Sequence, residues 1–201
     1  MSKPKIILIS GKQGSGKTTL SSGISDHCSK SHTGFFFGTK FADTIHAIND
    51  VVFEQLEVRG FKSETKKDRE LMQFIGAWGR KKDENFWVDR TKNVVDQVID
   101  QMETINADGL PYGVIIDDCR FPNELTAFCE ERFDVIKIRL ECPEAVRKGR
   151  AEKWGNTEHE SETALDGCLD DFDFILMTDD VGSSKKDVLS TVLEILNVGT
   201  N

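Results

Sequence analysis

The stretch GKQGSGKT, Gly11 to Thr18, constrains this chain more than any other. It satisfies the spacing G-x-x-x-x-G-K-[ST] and follows the apolar run KIILIS. Leu20, Ile24 and Cys28 then recur every four residues, which predicts a helix opening directly after the glycines. In a loop of this kind the glycines let successive backbone N–H groups converge on phosphate oxygens, and the helix N-terminus adds the positive end of its dipole. Lys17 bridges the phosphates and Thr18 holds Mg²⁺. The alternative is a glycine-rich turn with an incidental lysine, which the flanking strand and helix argue against.

The rest of the chain alternates in the same way. Ile45, Ile48, Val52 and Leu56 mark a second helix, and Leu71, Phe74, Ile75 and Trp78 a third. Trp87, Thr91, Val94, Val98, Met102 and Ile105 mark a long fourth, stopped by Asp108-Gly109 and Pro111. GVIID reads as a strand, Pro122 as a helix start, FDVIKIRL as a strand followed by a helix from Pro143, and FDFILM as a last strand before a helix through Val188, Val192 and Leu196. Strands separated by helices imply an α/β fold with a parallel sheet flanked by helices. With 201 residues, a single domain over 1–201 is expected. The polar segments Gly60 to Arg69 and Arg147 to Thr163 lack a core face and are expected to be mobile elements over a site.

Charge and apolar run length exclude several classes. Lys and Arg number 26 against 35 Asp and Glu, a formal charge of -9, which argues against a nucleic acid polymer coating the surface. Runs such as Ile6 to Ile9 are too short to span a membrane, and Met1-Ser2-Lys3-Pro4 leads into a strand, so a cytoplasmic protein is expected. The five cysteines, Cys28, Cys119, Cys129, Cys142 and Cys168, have no C-x-x-C spacing and are expected to be free thiols.

A phosphate loop without an N-K-x-D base-reading motif, in a chain of this size, points to a nucleotide or metabolite kinase. Bringing two anionic substrates together requires arginines away from the loop. GVIIDDCRFPNEL, residues 113–125, supplies one: a strand that ends in Asp117, Asp118 and Arg120, groups that are costly to desolvate without partners. A carboxylate at the end of a strand beside the loop strand can hold the water shell of Mg²⁺, while Arg120 forks onto a phosphate. Spacing does not separate Asp117 from Asp118, and a strand end that simply meets solvent is the competing account.

DDCRFPNE, together with RELMQFIGAWGR at residues 69–80 and HESETAL at 159–165, resembles the deoxynucleoside monophosphate kinases of tailed bacteriophages. FILMTDD stands where that family has a strand leading into its adenine-side loop. Phosphomevalonate kinases share part of this pattern. The resemblance implies a P-loop NTPase fold of the nucleoside monophosphate kinase type with a mobile lid. It further implies Mg²⁺-assisted transfer of the ATP γ-phosphate to a deoxynucleoside monophosphate, often in a dimer, in the host cytoplasm if phage-encoded. A small-metabolite phosphate kinase and a nucleotide-binding regulatory switch are the other readings.

Carried over position by position, Gly11, Gln13, Gly14, Ser15, Gly16, Lys17, Thr18 and Thr19 match the ATP phosphate site. Phe41 and Asp43 match the start of the monophosphate-binding helix, within an acceptor region of about 41–106. Arg69 and Gln73 match positions facing the acceptor, and the Gln73 amide suits a base edge because it both donates and accepts. Arg80 follows that helix within reach of phosphate, although Lys81 and Lys82 fit a solvated charge run equally well. Asp118 and Arg120 stand at the acceptor side as well as near the metal. Arg147 and Arg150, three apart, share a helix face as a lid over ATP would need, with surface pairing to Glu144 or Glu152 as the alternative. The lid is expected over about 147–163. His159 and Glu162 are expected at the acceptor or in lid ordering, with Ser161 as the cap of the following helix. Many relatives carry aspartate in place of the loop hydroxyl, whereas this chain has GKTT.

Overall fold

A computed structural model describes residues 3–62, 68–106, 108–150, 154, 159–178 and 184–198. In chain order its elements are β1 (Lys5–Gly11), α1 (Lys17–Ser31), β2 (Phe35–Thr39), α2 (Asp43–Val58), α3 (Arg69–Lys82), α4 (Phe86–Ile105) and β3 (Tyr112–Cys119). They continue with α5 (Pro122–Leu125), β4 (Asp134–Glu141), α6 (Glu144–Arg150), α7 (Glu160–Thr163), β5 (Phe174–Met177) and α8 (Ser184–Ile195). Among the described residues the strands form one parallel sheet in the order β2-β3-β1-β4-β5.

β1 lies at the centre, and its alternation builds both cores. Ile6 and Leu8 join Val114, Ile116, Val95 and Ile99 on the face covered by α4. Ile7 and Ile9 pack on the other face with Leu20 and Ile24 of α1 and with Val192 and Leu196 at the end of the chain. A strand buried on both faces has to be apolar throughout, which is why KIILIS is an unbroken run. From β1 the chain crosses to β2 and later to β4 on the opposite side. This change of direction leaves a crevice at the carboxyl ends of the strands, where the phosphate loop emerges.

A third, smaller cluster of Ile45, Ile75 and Trp87 ties α2, α3 and α4 together. Gly79 makes this possible, because a Cβ there would lie 2.5 Å from the Trp87 ring, and the indole N–H donates to the Gly76 carbonyl at 2.9 Å. The helices run where periodicity placed them, but their inner faces differ from expectation. In α2 the buried side chains are Ile45, Asn49 and Phe53, while Ile48 and Leu56 are exposed. Phe74 and Trp78 of α3 and Val94 and Ile105 of α4 also face outward; glycines and Val95 and Ile99 take the interior. Ile45, Ile75, Trp87 and Thr91 do face inward as expected, so each expected stripe coincides with the inner face in part. FFFGT forms an edge strand that lacks the alternating pattern and was not expected. No helix among the described residues is long and apolar enough to cross a membrane. All five cysteines are free. Much of the expected lid, residues 151–153 and 155–158, and residues 63–67 of the other polar segment lie outside the described residues.

Candidate active site at the carboxyl ends of the strands

β1 ends in Gly11, and the chain turns through Lys12–Gly16 into α1. Gly14 has φ +78°, and a Cβ there would lie 2.7 Å from the Arg147 carbonyl oxygen, so only glycine fits between loop and α6. The loop is pinned from several sides. Arg147 Nη1 donates to the Gln13 carbonyl at 3.2 Å, Thr178 Oγ1 donates to the Ser15 carbonyl at 2.9 Å, and Glu162 Oε2 accepts from Gln13 N–H at 2.8 Å. Lys17 is buried and turns back over the loop, donating to the Gly11 carbonyl at 2.5 Å and the Lys12 carbonyl at 3.1 Å. Burial lowers its pKa to about 7, with Arg120 adding to the effect against Glu162, Asp117 and Asp118.

Consecutive aspartates end β3 because the strand carries a bulge. Leu8 faces Ile116 but Ser10 faces Cys119, so β3 spends one residue more than β1 over this span. The bulge gives Asp117 and Asp118 separate environments. Both Asp118 oxygens are taken, accepting from Phe41 N–H at 2.8 Å and Ala42 N–H at 3.0 Å, and burial pushes its pKa up to about 6 against these bonds. Asp117 is buried, with Lys40 Nζ 3.6 Å from Oδ1, and that oxygen has no hydrogen-bond partner among the described residues. Ser15 Oγ is orphaned in the same way. Two buried oxygens without hydrogen-bond partners among the described residues, together with the exposed Thr18 near the start of α1, suit a hydrated Mg²⁺ held jointly with phosphate. No cluster of acidic, histidine or cysteine side chains among the described residues forms a metal cage without such a ligand.

Arg120 donates through Nη1 to the Ser161 carbonyl at 2.8 Å and to Glu162 Oε1 at 2.5 Å. Its backbone N–H and that of Phe121 both donate to Glu124 Oε2, at 2.6 and 3.0 Å, which fixes the turn into α5. Burial drives the Glu124 pKa up to about 8 despite these bonds. Arg69, the first residue of α3, donates to Gln13 Oε1 at 2.9 Å and lies 3.5 Å from Glu162 Oε1. Gln73 follows one turn later, and Arg80 lies further along the helix with its guanidinium 4.1 Å from the centre of the Phe121 ring. Loop, β3 end, α3 and α7 thus converge on one cleft.

Several expected residues take other positions. The Phe41 ring lies in the core, leaving only its backbone N–H at the site. Asp43 accepts from Thr39 Oγ1 and Lys40 N–H, closing the turn into α2. Arg80 lies within α3 rather than after it. Arg147 is buried against Cys142 and the loop, with its guanidinium 5.3 Å from the Trp154 ring centre, and among the described residues it makes no ion pair; Glu152 lies outside them. Lys148 pairs with Glu144 instead. Arg150 Nη1 reaches Cys142 Sγ at 3.5 Å.

The cap of α7 is His159, not Ser161: the ring Nδ1 accepts from Ser161 N–H at 3.2 Å and stands 2.9 Å from Ser161 Oγ. His159→Ala is therefore expected to cost about 1 kcal/mol, and Ser161→Ala less than half of that. Chemical denaturation of the two variants checks the order.

One ion-pair network, built around a buried arginine, was not foreseen. Arg139, 3% exposed on β4, donates to Glu141 Oε1 at 2.7 Å, Ser10 Oγ at 3.2 Å and Asp166 Oδ1 at 3.3 Å, while Lys12 pairs with Asp166 at 2.7 Å. An arginine inside IKIRL was the available signal, of the same kind as the charges that end GVIIDDCR.

Comparison with known proteins places this architecture. The family model described as an AAA domain matches residues 7–169. The chain belongs to this family. It is also 26% identical over 168 residues to the uncharacterized protein ORF77 of Ictalurid herpesvirus 1 (strain Auburn), covering 84% of this chain and 62% of that protein's length. Among solved structures, TT1252 from Thermus thermophilus superposes with a TM-score of 0.50 at 18% identity, over 97% of this chain and 99% of that one. The APS kinase CysC of Mycobacterium tuberculosis, in complex with AMPPNP and APS, superposes more loosely, with a TM-score of 0.46 at 12% identity over 96% and 99%. At 18% identity the likeness to TT1252 is one of fold. The family match, the parallel sheet and the loop together make this a P-loop α/β protein.

Proposed function

We propose that the protein is a kinase that transfers the γ-phosphoryl group of ATP to a deoxynucleoside 5′-monophosphate. The observation that carries the reading is that two arginines from outside the phosphate loop gather at it, Arg69 on the Gln13 side chain and Arg120 on Glu162, which itself accepts the Gln13 N–H. A switch that only binds nucleotide needs no such second set of cations, whereas a crowded pair of phosphate groups does. Arg69, Gln73 and Arg80 share one side of α3 by helical spacing, and together they suit an acceptor carrying both a phosphate and a base. The block resemblance to phage deoxynucleoside monophosphate kinases favours that acceptor over other phosphorylated metabolites.

In this reading the loop amides and Lys17 hold the ATP phosphates. Thr18, with Asp117 through bound water, would hold Mg²⁺, and the ion would supply neutralising charge to the phosphates. Arg120 steadies the group in transit, and Asp118 fixes the start of α2 beside the acceptor. Arg147 keeps the loop in shape, with Arg150 alongside it on α6. The chain is expected to work in the cytoplasm.

An assay of ADP release with dAMP, dGMP, dCMP, dTMP and phosphomevalonate as separate acceptors tests the proposal. Stimulation by one or more of the deoxynucleotides supports it. Stimulation by phosphomevalonate alone reassigns the acceptor, and no stimulation by any of them leaves a nucleotide-binding switch.

A further inference from the structure

The carboxylate of Glu162 lies among groups that suit a phosphate. Its side chain is 1% exposed, far from water for an acid on a short surface helix. Oε2 accepts the Gln13 N–H of the phosphate loop at 2.8 Å, and Oε1 accepts from Arg120 at 2.5 Å and lies 3.5 Å from Arg69 Nη2. Burial would raise its pKa, but Arg120, the Gln13 N–H and Lys17 outweigh that and hold it below the ordinary carboxylate range. A loop amide, two guanidinium groups and the loop lysine therefore share one internal anion. Each of these donors is of a type that phosphoryl-transfer sites aim at phosphate oxygens.

We infer that Glu162 occupies the position of the transferring phosphoryl group in the nucleotide-free protein, and that the γ-phosphate of ATP displaces it. This rests on the phosphotransfer reading and adds a device to it. Two anions cannot share the same donors at hydrogen-bond distance, so arrival of the γ-phosphate has to move Glu162 and with it α7. In the empty site the carboxylate keeps the guanidinium groups aimed at the loop and their charge compensated. The cost is apparent affinity, because ATP binds only the fraction of molecules from which Glu162 has withdrawn. ADP, which lacks the third phosphate, does not compete for that position.

Removal of the charge should therefore separate the two nucleotides. In calorimetric titrations without acceptor, Glu162→Gln is expected to bind ATP about tenfold more tightly than the wild type and to change ADP affinity less than about twofold. Glu162→Asp, whose shorter side chain withdraws the carboxylate, should move in the same direction. An equal gain for both nucleotides would mean only a general charge effect. Weaker ATP binding would mean that Glu162 is a fixed strut for Arg120, and unchanged binding that it takes no part; each of these three results overturns the inference. A second measurement needs no variant: in the wild type, ATP but not ADP should accelerate hydrogen exchange at residues 160–164, and slower exchange with ATP would contradict displacement. If wild-type protein shows the ATP-specific effects but no acceptor-stimulated turnover, the kinase reading fails while the displacement stands. If it binds neither nucleotide, both fail.

Discussion

Lys17→Ala is expected to lower phosphoryl transfer by about 10²–10³-fold while the nucleotide-free protein becomes more stable. The loss of rate follows from a buried cation at the loop that has no substitute in position once phosphate is bound. The gain in stability follows from burial. Lys17 is held at a pKa of about 7 in the folded chain, against an ordinary lysine value in the unfolded one. Between these values the unfolded chain binds the extra proton, so folding is opposed by this group below about pH 7. That opposition is relieved as pH rises from about 7 towards 10. Wild-type stability should carry this rising contribution, and Lys17→Ala should lack it. Denaturation of both proteins at pH 6.5 and pH 9.5, with the difference taken between them, isolates Lys17 from Glu124, whose raised pKa acts with the opposite sign and at lower pH. A variant that is less stable than wild type at pH 6.5, or that turns over normally, contradicts this account of the lysine.

Arg120→Ala should be the most damaging single change to the site as a structure. It removes the closest cation from a carboxylate that is 1% exposed and leaves a backbone carbonyl at Ser161 without its donor. Breaking one side of a buried pair leaves the other charge uncompensated, at a cost of about 3 kcal/mol here, since Arg69 and the Gln13 N–H remain. Without Arg120 the burial of Glu162 is opposed less, and its pKa moves up. In wild type the Glu162 contribution is present above the ordinary carboxylate range and is lost as pH falls through its lowered folded value. In Arg120→Ala the sign reverses, so the stability deficit should shrink as pH falls towards 4. The double variant Arg120→Ala with Glu162→Leu should recover most of the lost stability and none of the transfer. Arg120→Lys should lose at least about tenfold in rate, because a point charge does not reproduce the fork. Urea denaturation across pH together with turnover of the four proteins checks all three statements.

KIILIS and GVIID were legible as β1 and β3 because strands buried on both faces are apolar without polar alternation, whereas FFFGT, the edge strand β2, was missed. Lys17 and the loop were legible for a related reason, since strand, glycines and helix have to follow one another along the chain. Asp117 and Asp118 were legible as charges in the wrong place but not as distinct groups. What separates them is a bulge against β1, a property of register that a single strand does not carry. The inner faces of α2 and α3 were read in part: Ile45 and Ile75 face inward as expected, but Ile48, Leu56, Phe74 and Trp78 are large yet exposed, while Gly76 and Gly79 are buried. The role of His159 as a cap was missed because histidine is an uncommon residue for that position, and Ser161 offered a commoner one two residues on. Glu162 was expected at the acceptor or in lid ordering, but its contacts with Gln13, Arg69 and Arg120 could not be read from the chain, because they arise only through the fold.

Under the proposed function, phosphorus leaves ATP and arrives on a deoxynucleoside monophosphate. Phosphorus NMR of the wild-type protein with ATP, Mg²⁺ and an equimolar mixture of the four deoxynucleoside monophosphates observes this directly. The γ-phosphate signal of ATP is expected to fall as the α- and β-signals of ADP and of at least one deoxynucleoside diphosphate rise in equal amounts. Conversion of ATP to ADP and free phosphate alone, or no consumption of ATP, would contradict it.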